Sequence, residues 1–351
     1  MDNFVLSGGI ANITYRPDLD FRLQLEIDCG EGNQDIIIAD EYGNPSKGLD
    51  MDFHIVKTFE SEPQESKITI YNLNTETYNK IYKDATGFRL SCARGKEMQY
   101  TPFYTGFPLK MVKLPKQTVL TSNRGFMEQE PTAGRRGQND LETTISLTSY
   151  GIARLYKSYR EDVSSEIIIN DCIEAMGLPK GNFDPIEHQI IGAGFVIDGN
   201  VQKALDILGE RLGFYWNTND MQFNLYDKTC SYYKTYGIVL TPENSATPER
   251  QDDKFKKDTK VLQRANKKQG KEGVKEYTIS RVKQGFMIET MLLPFLQVGS
   301  TCRLDFPMAD AQGDKYIYKI IHSGNNYGTQ ATTQVFCVWV QKVYNNYLEK
   351  F

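Results

Sequence analysis

The feature that most constrains this chain is a change of apolar period along its length. From Phe21 to about Tyr150 apolar residues fall on alternate positions: Phe21, Leu23, Leu25 and Ile27; Ile68 and Ile70; Phe88, Leu90 and Cys92; Leu141, Ile145 and Leu147. Side chains alternate across a strand, so this spacing predicts half-buried antiparallel sheet. The clusters ADEYGNPSKG, FESEPQES and KDATG break the runs, at the spacing of a small barrel or sandwich. One short helix is expected among them, capped by Asn74, with Tyr78, Ile81 and Tyr82 on one face and an end near Gly87.

From Ser158 to Tyr226 the period becomes that of a helix. SSEIIINDCIEAMGLP has a serine start, apolar Ile168, Cys172, Ile173 and Met176, and a Gly177–Pro179 stop. GNVQKALDILGERLGF has Asn200 as cap, a stripe of Val201, Ala204, Leu205, Leu208 and Leu212, and Gly213 as terminator. Two amphipathic helices follow from these signals. FYWNTNDMQFNLYD then reads as a hairpin turning at Asn217 to Asp220.

Residues 237–351 return to period two with YTISRV, FMIETMLL, STCRLDF, KYIYKIIHS and TTQVFCVWVQ. Val335 to Val340 is apolar on both faces, as a central strand is. Leading into and overlapping the first of these strands, Arg250 to Lys283 holds twelve basic and five acidic residues, a local charge of about +7, and its part before Tyr277 reads as a solvated loop. The stretch from Lys110 to Asp140 is a second weakly patterned segment, a long hairpin or protruding loop that is either plain surface or a contact arm.

A chain of 351 residues exceeds what one hydrophobic core usually fills. The expected fold is mainly β with an α+β insertion: a β-barrel domain over 1–155, a small α/β domain over 156–235, and a second β-barrel domain over 236–351. No apolar run approaches the roughly 18 residues of a membrane span, and MDNFVLSGGIANITYRPD has no secretory pattern. Folding in the cytosol is expected.

Chemistry is hard to find. The six cysteines form no CxxC pair and read as small buried hydrophobes. His54, His188 and His322 lie apart, without metal-ligand spacing. There is no GxSxG elbow and no phosphate loop; GAGFVIDG lacks the third glycine of a dinucleotide fingerprint. Carboxylate pairs such as Glu166 with Glu174, or Asp206 with Glu210, read as solvated helix charges. We therefore expect no enzyme, no cofactor and no metal. The net charge of −4 argues against coating nucleic acid, and aromatic residues on strand periodicity suit a protein that assembles.

Three segments together resemble the baseplate hub proteins of contractile-tailed, Mu-like bacteriophages. They are IVKTFESEPQESKITIYNLNTETYNKIY, VQKALDILGERLGFYWNTNDMQFNLYDK, and the closing GFMIETMLLPFLQVGSTCRLDFP with DKYIYKIIHSGNNYGTQATTQVFC. The last is the most specific, and in it Pro294, Gly299, His322 and Gly324 match positions that define the family's fold, with SGNNYGT as a polar loop between core strands. The resemblance implies a homotrimer with two tube-like β-barrel domains per chain, joining a sixfold tail tube ring to a threefold central spike. It also implies other baseplate partners, DNA passing only transiently, no stable membrane association, and a place in the virion tail after assembly in host cytoplasm. The same design occurs in type VI secretion spikes. Lys110, Lys113, Lys116, Arg124, Arg135 and Arg136 become candidates for contact with a neighbouring ring or with DNA. The alternatives are a tail-associated peptidoglycan hydrolase and a sixfold distal tail or tube-initiator ring protein.

Overall fold

The alternating runs become strands whose inward residues are almost wholly excluded from water, among them Leu23, Leu25 and Ile27, Ile68 and Ile70, and Ile145 and Leu147. The computed structural model describes residues 2–4, 13–15, 21–39, 49–58, 61, 65–94, 100–115, 141–148, 153–227, 236–250, 285–307, 311–326 and 331–339. Its first part contains β1 (Asp2–Phe4), β2 (Ile13–Tyr15), β3 (Phe21–Asp28), β4 (Ile36–Ala39), β5 (Met51–Thr58) and β6 (Ser66–Tyr71). Helix α1 (Thr75–Asp84), β7 (Gly87–Arg94), β8 (Thr101–Pro115) and β9 (Leu141–Thr148) complete it.

The inserted module runs through β10 (Arg154–Tyr159), β11 (Val163–Ser164), α2 (Ser165–Met176), β12 (Lys180–Phe183), β13 (Ile190–Ile191) and β14 (Phe195–Asn200). It continues with α3 (Val201–Leu212), β15 (Phe214–Asn217), a tight turn at Asn219–Met221 in which Asp220 and Met221 have positive φ, and β16 (Phe223–Asp227). The closing part contributes β17 (Tyr236–Leu240), β18 (Glu249–Arg250), β19 (Gly285–Met291), β20 (Thr301–Phe306), β21 (Ala311–Asn325) and β22 (Ala331–Trp339). The expected strand YTISRV lies outside the described residues.

The helix ends obey local chemistry. The Asn74 side chain accepts from the Thr77 N–H at 2.7 Å, and Asn200 accepts from that of Lys203 at 3.1 Å. Gly177 and Gly213 end α2 and α3 in the left-handed conformation, at φ 66° and 77°, which costs glycine least. α1 ends at Asp84 with Ala85 as its C-cap, two residues before Gly87, which opens β7. Ile81 is buried, whereas Tyr82, expected on the inner face, is 67% exposed and stacks on Tyr78. Replacing Asn74 by alanine is expected to cost about 1 kcal/mol, seen as a lower urea midpoint at unchanged slope.

Thirteen strands form one hydrogen-bonded sheet, in the order β18-β19-β22-β21-β5-β6-β9-β8-β7-β3-β4, with β20 joining β21 and β17 joining β20. The β parts before and after the inserted module, β3–β9 and β17–β22, therefore share a sheet, and among the described residues no sheet closes on itself. The join is β5 against β21, from Asp52↔Asn325 to Thr58↔Lys319. β20 lies along another part of β21, from Thr301↔Tyr316 to Phe306↔Ala311. β22 pairs with β19 and β21 and is central, as its apolar run predicts; on its outer face Phe336 is half-buried against Tyr318.

The two longest strands, β8 and β21, each have 15 residues and each change partner part-way. β8 pairs with β7 and then β9, with register shifts at Leu90/Ser91 and Pro108/Lys110. β21 shifts register against β22 between Ile317 and Lys319. One extra residue bends a strand and restores its inward phase, so Ile317, Ile320 and His322 all remain buried.

Among the described residues burial is organised in three apolar cores. One gathers β3, β5–β9 and α1 around Leu25, Phe53, Ile68 and Leu90. A second gathers the closing strands around Ile288, Leu304, Ile317 and Val335. The third joins α2 and α3 through Ile168, Cys172, Leu205, Leu208, Trp216 and Phe223. Cys29, Cys92, Cys172, Cys302 and Cys337 are free and buried; Cys230 lies outside the described residues.

Candidate functional site: the seam between the cores

Lys57 shows where the three parts meet. Alternation along MDFHIVKT turns Met51, Phe53 and Ile55 inward and carries Lys57 with them, so this lysine is only 3% exposed. A buried ammonium needs a counter-charge. Its Nζ reaches Asp220 Oδ2 at 2.6 Å, on the tip of the β15–β16 hairpin. The same carboxylate accepts from the Thr105 N–H of β8 at 3.3 Å, so one side chain bridges β5, β8 and the inserted module. Asp220 stands at φ 57°, a conformation that aspartate tolerates better than most residues.

Two asparagines complete this docking, and a third braces them within the module. Asn217 and Asn219 donate their amides to the Thr58 carbonyl at 3.0 and 2.7 Å. Asn224 donates to Asn217 Oδ1 at 3.0 Å and accepts from the Asn182 N–H at 2.8 Å. Each satisfies polar groups that the closure of the seam takes out of water.

The closing part meets the module at Gly299. Between β19 and β20 the backbone makes two turns, closed by Leu296 N–H to the Leu293 carbonyl at 3.2 Å and Ser300 N–H to that of Gln297 at 3.3 Å. Pro294 occupies the second position of the first turn, which its fixed φ suits. Gly299 occupies the third position of the second, at φ 85°. The Tyr226 ring of β16 lies against its Cα: a methyl there would be 2.3 Å from Cε1. Tyr226 also donates its hydroxyl to the Val298 carbonyl at 3.3 Å, and burial raises its pKa.

His322 lies on β21 opposite Ile55 and Thr333, fully buried. Its Nδ1 is 2.9 Å from Thr333 Oγ1, which also accepts from the Leu293 N–H at 2.9 Å. The ring stands edge-on to Phe103 of β8 at 5.5 Å. Nε2 has no hydrogen-bond partner among the described residues. Burial, and then the charge of Lys57, hold the imidazole well below its usual pKa and therefore neutral.

Gly324 sits within β21 between Phe53 and Ala331. The expected polar loop starts later than its sequence suggests: Ser323 to Asn325 are strand, and Asn326 extends the ladder by accepting from the Met51 N–H at 2.7 Å. Residues 327–330 lie outside the described residues.

Of the basic candidates, Lys110 and Lys113 belong to β8, which runs on to Pro115 and pairs with β9 rather than starting a loop at Lys110. Lys110 is exposed, and Lys113 Nζ sits 5.0 Å from the centre of the Tyr78 ring. Lys116, Arg124, Arg135 and Arg136 lie outside the described residues. Sequence reading missed Lys57, Asp220, Asn217 and Tyr226. A lysine in the inward phase of a strand was the available signal for the first.

Among the described residues no group of three or more His, Cys, Asp or Glu could hold a metal ion, and no helix is long and apolar enough to cross a membrane. In the seam Lys57 is paired and His322 is sealed from solvent. Its chemistry is cohesive.

No family profile matches the chain, and no curated protein sequence matches it. Solved structures do. The 43 kDa tail protein of prophage MuSo2 from Shewanella oneidensis is 9% identical and aligns over 92% of this chain and 98% of its own, with a TM-score of 0.56. The tail protein from Neisseria meningitidis MC58 is 9% identical and aligns over 93% of this chain and 99% of its own, also at 0.56. Across more than nine-tenths of its length, this chain has the fold of these two phage tail proteins.

Proposed function

We propose that the chain is a structural virion protein, the homotrimeric baseplate hub of a contractile tail. The observation that carries this reading is the overlap with two tail proteins over nearly the whole of both chains. In this reading residues 1–155 and 236–351 each roll into a tube-like β barrel, with 156–235 as a small α/β domain beside them. Three chains then offer six barrels to the tail tube ring on one side and a threefold face to the central spike on the other. The two 15-residue bulged strands, one in each β part, support an equivalence of the two halves. The protein works by geometric adaptation and force transmission rather than by catalysis, in the virion tail among other baseplate proteins, with DNA passing through its axis. Lys110 and Lys113 serve as contacts to the neighbouring ring or to that DNA.

Counting copies per particle, together with native mass measurement in the presence of tube and spike proteins, tests the proposal. Three copies and a stable trimer are expected. Six copies would assign the chain to a tube or distal ring, and a persistent monomer would overturn the hub reading. Clearing of a murein gel would mark a hydrolase instead.

A further inference from the structure

Apolar side chains that the fold leaves in water gather on the inserted module. Of the eleven large hydrophobic residues exposed among the described residues, seven fall from Tyr156 to Tyr215. Three of these share one ribbon. β10 pairs with β14 from Arg154↔Asn200 to Tyr159↔Phe195, and β11 pairs with β13 at Val163↔Ile191 and Ser164↔Ile190. From Tyr159↔Phe195 to Val163↔Ile191 both strands advance by four residues, so the register is unbroken and the two pairings form a single antiparallel ribbon. It bends where Asp162 and Gly194 take φ 62° and 72°.

One phase of the ribbon faces the helices. Ile191 and Ile197 are buried, and Leu155, Tyr159, Val163 and Phe195 pack against the α2–α3 core. The other phase turns Tyr156, Val196 and Ile190 outward, 70%, 68% and 68% exposed. Scattered apolar residues are ordinary on a surface, but three in one strand phase make a face. The ribbon's edges are open as well: among the described residues neither β10 nor β14 pairs with a further strand. Such an edge is a template for another strand. Charge distinguishes the two edges. Arg154 opens β10 and Arg160 follows it, both exposed, whereas β14 carries exposed Asp198. Among the described residues none of the three belongs to an ion pair.

We propose that this ribbon is a contact between copies of the chain, with the β10 edge of one copy set against the β14 edge of the next. A second copy is the partner that both edges fit, because it brings an anionic edge to the arginines and a cationic edge to the aspartate. A two-fold contact of β10 with β10 would oppose arginines instead. Head-to-tail contact leaves an unsatisfied edge at each end until a ring closes, and a closed ring of three is the hub assembly. The inference rests on the reading that the chain assembles with itself, and it adds the surface through which it does so.

Native mass measurement on the full chain, with tube and spike proteins present, tests the contact. The native sequence is expected as a trimer. Arg154→Glu and Val196→Glu should each weaken assembly at least about tenfold. Their far-ultraviolet circular dichroism should not change, since both residues are exposed. Adding Asp198→Arg to Arg154→Glu restores opposite charges across the contact and should return assembly to within about threefold of native. Ile207→Glu, exposed on α3, should leave the trimer intact. Undiminished trimers in Arg154→Glu and Val196→Glu, or no recovery in the charge-reversed pair, overturn this contact and leave the hub reading standing. A native chain that stays monomeric overturns both.

Discussion

Asp220→Asn is expected to destabilise the protein by about 3 kcal/mol, near the lower end for breaking a buried ion pair. The loss arises on the lysine side. Lys57 has no route to water within its strand, so an amide at 2.6 Å leaves an uncompensated ammonium. The estimate sits low because the Asp220 side chain is 30% exposed, which admits some screening. Asparagine keeps the turn, since it also tolerates a φ of 57°; Asp220→Ala should cost about 1 kcal/mol more, through strain at that angle. Adding Lys57→Met to Asp220→Asn should recover much of the loss, because it removes the stranded charge and fills its volume. Urea unfolding of the four proteins closes the cycle, and additive losses would show that the pair is not coupled.

Gly299→Ala should cost about 3 kcal/mol or more, for two separable reasons. The residue sits at φ 85°, where an L side chain is strained, and its new methyl would lie 2.3 Å from Tyr226 Cε1. A second change, Tyr226→Leu, removes the overlap but not the strain. It should therefore return part of the loss and leave about 1–2 kcal/mol attributable to the backbone. Thermal unfolding of both single variants and the double variant separates the terms. A fully neutral Gly299→Ala would mean that this turn is free to shift.

Much of this architecture is legible from short-range signals. Alternation gives the strands, and Asn74, Asn200, Gly177 and Gly213 mark helix ends because capping is decided within four residues. The extent of β8 is less legible: the shift between Pro108 and Lys110 breaks the alternation there, so the stretch from Lys110 reads as loop although it continues as strand. The seam is the least legible part. The phase of β5 flags Lys57 as buried, but its partner lies 163 residues away and no local pattern specifies it. The union of the two β parts into one sheet is hidden for the same reason, because backbone pairing between β5 and β21 leaves no signature in residue type.

The run of seven opposed residues between β5 and β21 has a mechanical consequence. Traction parallel to these strands loads the whole ladder in shear, so its bonds must yield together, whereas peeling from one end would break them in succession. The joint is therefore strongest along the strand axis and weakest across it.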